Sequence, residues 1–314
     1  MKFYFLFLLS LLPGLVSFAQ TRSYKNEIGF QTDNDGFLGQ GQDRYYTAGN
    51  FLHFNHALNF TDTNRLANKV LGFELGQKIY TPQSGLILDP HFIDRPFAGY
   101  LYAGSSLNLL YKNESNLRFE GQLGFVGPHA YGKETQDLIH KTFGFYTPDG
   151  WEYQIQNDFE INLSAQYNSL LFRIDQFDMS FSSYADLGTG FTGAGLGGML
   201  RLGTTGPLYS SVSTGSTVSA SGKPAGQELF IYYKPLLNFV AYDATIQGSM
   251  FAGTPAPNEI VSTIKPVVFS QQIGGDLVMG HWVIDASVIF QSHTTKQMIK
   301  TEQWGSISVL YRFN

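Results

Sequence analysis

The sequence predicts an all-β protein, a transmembrane antiparallel β-barrel of about twelve strands with a short helix in one outer loop. Three observations carry that prediction. Apolar and polar residues alternate along segments of about ten residues, the length of a tilted strand crossing a bilayer. Thus Leu117, Phe119, Gly121, Leu123 and Phe125 fall on one face and Arg118, Glu120, Gln122 and Gly124 on the other, because successive side chains of a strand point to opposite sides. Aromatics gather at segment ends (Tyr45, Tyr46, Tyr80, Tyr111, Phe145, Tyr146), as interface girdles do. Finally, Ile307, Val309, Tyr311 and Phe313 alternate against Ser306, Ser308 and Arg312, the pattern of a closing strand.

Residues 1–19 read as a secretory signal peptide. Lys2 precedes the apolar run Phe3 to Leu12, and Pro13-Gly14 breaks it before the small-x-small site Ser17-Phe18-Ala19. That run is shorter than the roughly 20 apolar residues of a membrane-crossing helix. Residues 20–314 are therefore expected to form the barrel. Strands are expected near 26–33, 46–59, 69–80, 97–111, 117–126, 158–168, 170–183, 192–203, 227–240, 266–278, 281–293 and 303–313. Leu71, Phe73, Leu75 and Ile79 oppose Gly72, Glu74, Gly76 and Lys78, and Phe159, Ile161 and Leu163 oppose Glu160, Asn162 and Ser164. Tight links such as Asn168-Ser169 and Met279-Gly280 are expected on the side of both termini, and the longer connections at the outer end. In the longest, 127–157, the stretch Glu134 to Phe143 loses strand alternation. It is predicted as a helix ended by Gly144, with Leu138, Ile139 and Thr142 or Phe143 turned inward.

Composition narrows the function classes. The 27 Phe, 18 Tyr and 34 Gly stand against only 14% charged residues, an unusual balance for a secreted soluble domain. A formal net charge of −5 argues against nucleic acid as a partner. With no cysteine, no disulfide, thiolate nucleophile or thiolate metal site is available. The sequence also lacks a Gly-x-Ser-x-Gly elbow, a glycine-rich phosphate loop and a His-Glu-x-x-His zinc helix.

One polar concentration stands out: Thr32-Asp33-Asn34-Asp35-Gly36-Phe37, followed by Asp43-Arg44-Tyr45-Tyr46-Thr47-Ala48-Gly49. A barrel does not need such a cluster at one end for stability, so it points to a site. Asn34 and Asp35 offer oxygen ligands of the kind calcium takes, although Asp-Asn-Asp-Gly is equally a turn sequence and the spacing does not fit an EF-hand loop. Among the seven histidines, His140 alone falls on the expected loop helix, beside Glu134, Gln136 and Asp137. An imidazole there suits general-base work, and a solvated loop histidine is the alternative. His53 and His56, three apart on a strand, face opposite ways and make a poor metal pair. Asp94-Arg95 is expected to pair with lumen charges.

Taken together, these motifs resemble the outer-membrane lipid A deacylases of the LpxR type (lipid A 3′-O-deacylases, DUF2219-like). The resemblance rests on Asn34-Asp35-x-Phe37, Asp43-Arg44-Tyr45-Tyr46-Thr47-x-Gly49, Ile79-Tyr80-Thr81-Pro82 and Asp94-Arg95-Pro96-x-Ala98-Gly99. It continues through Gly127-Pro128, Gln136, His140 and Pro148-x-Gly150-Trp151. It implies a twelve-stranded barrel of the Gram-negative outer membrane and a calcium-dependent hydrolase that removes the 3′-linked acyloxyacyl chain of lipid A in lipopolysaccharide. By position, His140 would be the base that activates water, Asn34 and Asp35 the polar site beside it, and Asn34 and Thr47 the metal's neighbours. A monomer is the expected form. Two departures accompany the resemblance. The acid expected a few places after the histidine is missing, since Lys141-Thr142-Phe143-Gly144-Phe145-Tyr146 stands there and the next acid is Asp149. The lysine expected after Ile-Tyr-x-Pro is also missing, its loop reading Gln83-Ser84-Gly85-Leu86-Ile87-Leu88.

Two other readings compete. A phospholipase at the same rim would want a serine nucleophile beside His140. A non-catalytic barrel, either a pore or a binding protein, would need no such site; a lumen lined by Glu74, Lys78, Arg118 and Glu120 is expected to be plugged by paired charges.

Overall fold

The computed structural model describes residues 23–39, 43–61, 65–87, 89–221 and 226–314; the expected signal peptide lies outside them. The strands are β1 (Asn26–Asn34), β2 (Tyr45–Ala57), β3 (Leu66–Thr81), β4 (Ala98–Tyr111), β5 (Ser115–Val126), β6 (Asp158–Ile174), β7 (Phe177–Gly188), β8 (Phe191–Thr204), β9 (Glu228–Asp243), β10 (Val267–Met279), β11 (Trp282–Gln291) and β12 (Glu302–Phe313). Each pairs antiparallel with its sequence neighbour, and β12 closes on β1 in the register Asn26↔Phe313 to Asn34↔Gly305. Closure leaves no strand edge unpaired, which a wall in hydrocarbon requires.

The two faces of the wall sort as the alternation predicts. Ile28, Phe30, Leu52, Phe73, Leu75, Phe119 and Leu123 are exposed on the outside, while Glu27 and Glu74, one position away, point into the lumen. An exposed Leu or Phe side chain forgoes about 1.5–3 kcal/mol of burial in water. A continuous outer band of them is therefore a lipid-facing surface.

Three expectations need correction. Asn168-Ser169 is not a turn. Both residues lie inside β6, paired to Asn116 and Ser115 on one side and Ser182 and Phe181 on the other. A bulge between Leu170 and Phe172 carries the strand on to Ile174. The turn falls at Asp175-Gln176, where Asp175 takes the left-handed conformation (φ 47°) that a short polar side chain tolerates. The tight link after Met279 is present, with Gly280 at φ 56°. Tyr45, Tyr46 and Tyr80 are not girdle residues. Tyr45 is buried and donates to Asp94 Oδ2 (2.7 Å), Tyr46 donates to Asp33 Oδ2 in the lumen (2.9 Å), and Tyr80 lies beneath the Arg95 guanidinium (3.9 Å). Asp94-Arg95 thus serves the outer loops: Arg95 donates to Thr245 Oγ1 (3.0 Å) and Pro96 O (3.2 Å).

The third correction concerns loop sidedness. The connection 205–227 is long yet lies at the terminus end, and its described residues fold into the lumen. Arg201 reaches Ser211 Oγ (2.7 Å), Ser213 Oγ (2.9 Å) and Asp178 Oδ2 (2.7 Å). Glu228 accepts from Gly206 N, Ser211 Oγ and Val212 N. Asn108, Asn68 and Arg312 donate to the carbonyls of Thr214, Val218 and Thr217. The connection is held inside because its backbone groups find partners on the lumen wall.

Candidate active site

At the opposite end, the connection between β5 and β6 forms α1 (Gly132–Phe143), closed by Gly144 in the left-handed conformation (φ 72°). The helix and its cap are as predicted and Ile139 turns inward, but Leu138, Thr142 and Phe143 do not. Leu138 and Phe143 are 65% and 69% exposed, whereas Gln136 and His140 are 2% and 4% exposed. The helix presents a polar edge to the protein because what it covers is a polar site rather than an apolar core.

Glycine permits that seating. A Cβ on Gly132 would lie 3.2 Å from Gly99 Cα on β4 and 2.9 Å from the Trp151 ring. Gln77, two residues along β3 from lipid-facing Leu75, donates to Ala130 O (2.7 Å). The start of α1 therefore rests on the outer face of the wall rather than over the lumen.

Four side chains then converge. His140 Nδ1 donates to Tyr146 O (2.6 Å), and Nε2 lies 2.7 Å from Asp43 Oδ2. The same carboxylate oxygen accepts from Gln136 Nε2 and from the Tyr146 hydroxyl (3.0 Å). Gln136 Oε1 in turn accepts from the buried Trp151 Nε1 (2.7 Å). A carbonyl only accepts, so the Nδ1 proton is fixed, and the proton between Nε2 and Oδ2 is the mobile one. Burial, with the adjacent Asp43 charge, pushes the Tyr146 phenol well above its ordinary value, which keeps it a donor.

The first polar segment meets this group from the wall. β1 ends at Asn34, whose Oδ1 caps Gly36 N (2.7 Å) at the 3-10 turn Asp35–Leu38. The register shift between Tyr46 and Ala48 allows both Thr47 and Ala48 to line the site. Thr47 Oγ1 lies 2.7 Å from Thr81 Oγ1. A cavity of about 450 Å³ is bounded by Asn34, Asp43, Thr47 and His140, with apolar walls from Ile79 and Phe145. Of the residues singled out in the sequence, Asn34, Thr47 and His140 share this cavity. Asp35 does not line it. Its carboxylate is buried, with Oδ2 accepting from Arg44 N (2.6 Å) and Oδ1 left without a partner. Burial, the largest influence, pushes that carboxyl up to about 8, with Asp43 adding to the rise and backbone donors opposing it.

Sequence reasoning placed Asp43 in the polar concentration but gave it no role against His140, and it missed Tyr146 and Trp151 as members of the site. Gln136 was legible, being four residues before His140 and so on the same helix face. Asp43 pairs with His140, while Asp149, the next acid after the histidine, caps its own neighbour Gly150 N (3.0 Å).

Among the described residues no group of three or more His, Asp and Glu side chains is arranged to hold a metal. The oxygens lining the cavity are nonetheless hard donors of several types, the Asn34 amide, the Thr47 hydroxyl and the Asp43 carboxylate, and outside the cavity Asp35 Oδ1 is buried and unpartnered. A buried carboxylate oxygen with no donor is the kind of group a cation satisfies.

A family model described as outer membrane protein LpxR matches residues 3–313. The fold is similar to the solved structure of LpxR from Salmonella typhimurium, with a TM-score of 0.73 at 20% sequence identity, covering 91% of this chain and 100% of that one. The β domain of the Bordetella autotransporter BrkA matches more loosely, with a TM-score of 0.42 at 10% identity, covering 94% of this chain and 99% of that one. Comparison with curated proteins gives no match.

Proposed function

The chain belongs to the LpxR family of outer membrane proteins, and on that premise we propose that it is a lipid A deacylase hydrolysing the ester of the 3′-linked acyloxyacyl chain. The observation that carries this reading is the His140–Asp43 pair at an apolar-walled cavity on the outer face of the barrel. A lipid ester can reach such a site from the leaflet while its acyl chains stay in hydrocarbon.

In the proposed reaction, the pair first gives up to solvent the proton between Nε2 and Asp43 Oδ2, so that His140, with Nδ1–H anchored on the Tyr146 carbonyl, presents a free Nε2 as the base. Nε2 takes a proton from water as the water oxygen attacks the ester carbonyl. Asp43 shares the proton gained, and the ring then delivers it to the departing alkoxide of the sugar. Gln136 and Tyr146 hold Asp43 in place, and Trp151 holds Gln136. Calcium, held by Asn34 and Thr47 with Asp35 beside them, would supply positive charge for the oxyanion of the attacked ester.

A phospholipase working through serine finds less support, since no serine is among the described residues lining the cavity. A pore finds less support too, since 205–221 fills the terminus end of the lumen.

The test is incubation of the refolded protein with lipid A, with calcium or chelator, and weighing of the products. Loss of one acyloxyacyl mass with calcium, absent in His140→Ala, is expected. Lipid A left intact by the unaltered chain with calcium would overturn the reading.

A further inference from the structure

Buried side-chain oxygens without a hydrogen-bond partner are few among the described residues, and they cluster. Apart from Asp35 Oδ1 they are Gln154 Oε1, Asp158 Oδ2 and Glu160 Oε1. All three fall within 154–160, where the connection 127–157 re-enters the wall as β6. Phe159, Ile161 and Leu163 are exposed on the lipid side, so Asp158, Glu160 and Asn162 share the inner face. Asp158 Oδ1 accepts from Phe159 N (3.0 Å), and Glu160 Oε2 accepts from Thr189 Oγ1 (2.6 Å). The second oxygen of each carboxylate has no partner, although Glu160 is 0% exposed.

The donors nearby are already engaged. Gly190 N and Phe191 N, at the β7–β8 turn, donate to Asn162 Oδ1 (3.1 and 3.0 Å), and Asn162 Nδ2 donates to the Tyr100 hydroxyl (3.0 Å). A Cβ on Gly190 would lie 3.2 Å from Glu160 Cδ, and the Gly190 carbonyl accepts from Ala244 N (2.8 Å), next to Asp243. The charges acting on Glu160 are therefore those of Asp158 and Asp243, both negative. Among the described residues no Lys or Arg pairs with any of the three. Arg95 stops one residue short, donating to Thr245 Oγ1 (3.0 Å), whose own hydrogen goes to Asp243 Oδ1 (2.6 Å). A proton on Glu160 Oε1 would only exchange one unmet need for another, since no acceptor lies within reach. A water could donate to one oxygen but would leave two like charges uncompensated in a place that disfavours either. A divalent cation answers both.

We propose that Asp158 and Glu160 hold a calcium ion on the inner face of the barrel mouth, apart from the cation at Asn34 and Thr47. β6 stands three strand spacings from β3, about 14 Å around the wall, and the two sites lie on opposite faces of it. Calcium suits the pair better than magnesium, because it takes about six to eight oxygens in flexible geometry. No three acidic or imidazole side chains converge among the described residues, so neutral oxygens and water complete the shell. Affinity is expected at about 10⁻⁴–10⁻³ M, the range of extracellular calcium modules. The ion ties the end of 127–157 to the turn at Thr189 and so braces the connection that carries α1. It requires neither the proposed hydrolysis nor a ligand role for Asp35.

Terbium takes the place of calcium on oxygen ligands and luminesces when nearby tyrosines are excited, so it counts such sites in the folded barrel. The unaltered full chain, Glu160→Gln, Asp158→Asn and Asp35→Asn would be titrated in detergent with calcium as competitor, each checked for folded gel mobility. Glu160→Gln is expected to lose one terbium equivalent that calcium displaces from the unaltered chain. Asp158→Asn should weaken the same equivalent by about tenfold or more, and Asp35→Asn should keep it. An unchanged set of calcium-displaced equivalents in both Glu160→Gln and Asp158→Asn would overturn the proposal and leave water on these carboxylates. Loss in Asp35→Asn alone would place the cation at the other site and overturn it as well. No lipid A enters the measurement, so inactivity toward lipid A would leave this site standing, and its failure would leave the proposed hydrolysis standing.

Discussion

Asp43 Oδ2 lies 2.7 Å from His140 Nε2 and accepts two further hydrogen bonds, from Gln136 and Tyr146. A carboxylate oxygen so heavily used is held in place rather than free to search for partners, and it fixes where the imidazole can point. Asp43→Asn preserves shape but removes the charge that favours a protonated ring. It is expected to lower the deacylation rate by about 10²–10⁴-fold, the range of an acid–base contribution. Rates from product masses, beside an unchanged heat-modifiable gel shift, check this; a near-normal rate would sink the dyad.

Trp151 acts one bond further away. Its Nε1 is the donor to Gln136 Oε1, and both residues are buried. Trp151→Phe leaves that oxygen unsatisfied, at a cost of about 1–3 kcal/mol. The loop should loosen and the rate fall, while Gln136→Glu, which places a second carboxylate against Asp43, should fall further. Comparing kcat with KM separates the effects: displaced catalytic groups lower kcat, whereas a collapsed cavity raises KM.

The barrel could be read from sequence and the site only in part, for a physical reason. Strand faces repeat every two residues, so Leu117 to Phe125 and Ile307 to Phe313 declare their sides locally. The same periodicity could not find the end of β6, because the bulge at Leu170 breaks it. Asn34, Thr47 and His140 were legible as polar groups in a barrel that does not need them. Asp43 stood in the same polar cluster, but its pairing with His140 was not legible, because it depends on α1 folding down across the wall from nearly a hundred residues away. The inward face of α1 was misjudged on the assumption that apolar side chains seek the protein. Here Leu138 and Phe143 face away from it.

Calcium is expected to bind the resting protein, not only its complex with lipid. The buried Asp35 Oδ1 has no donor, and its neighbours Asn34 and Thr47 offer further oxygens. A ligand at a hundred times its Kd adds about 2.7 kcal/mol of stability. The unfolding temperature in detergent should therefore rise with calcium, and Asp35→Asn should reduce the rise. Equal shifts in both proteins would remove Asp35 from the site.

Gly132 should prove intolerant of any side chain. Its Cβ would lie 3.2 Å from the Gly99 Cα and 2.9 Å from the Trp151 ring, and backbone on the β4 side cannot move aside. Gly132→Val is expected to cost about 1–3 kcal/mol by overpacking. That cost falls on α1 alone, since the twelve-strand closure does not depend on it. Protease should then cut within 127–157 while the barrel keeps its folded gel mobility, and activity should vanish with the loop.

Arg201 holds the lumen segment from the other end. Its guanidinium is fully buried, bidentate on Asp178, and bonded to Ser211, Ser213 and Gly206 O. Removing one partner of a buried ion pair costs about 3–5 kcal/mol when the other charge is left uncompensated, and less here, because Arg173 Nε stays 3.0 Å from Asp178 Oδ2. In Arg201→Ala the half-paired Asp178 and the serines that lost their donor would take water. The segment 205–221 should then leave the wall at intervals near Ser211 and Ser213, while Glu228, Asn108, Asn68, Arg312 and Arg173 still hold it. Planar bilayers should show brief openings in Arg201→Ala and steady closure in the unaltered protein, with deacylation unchanged because the site lies outside the wall. Steady closure of both would mean that the remaining bonds suffice to hold the segment in place.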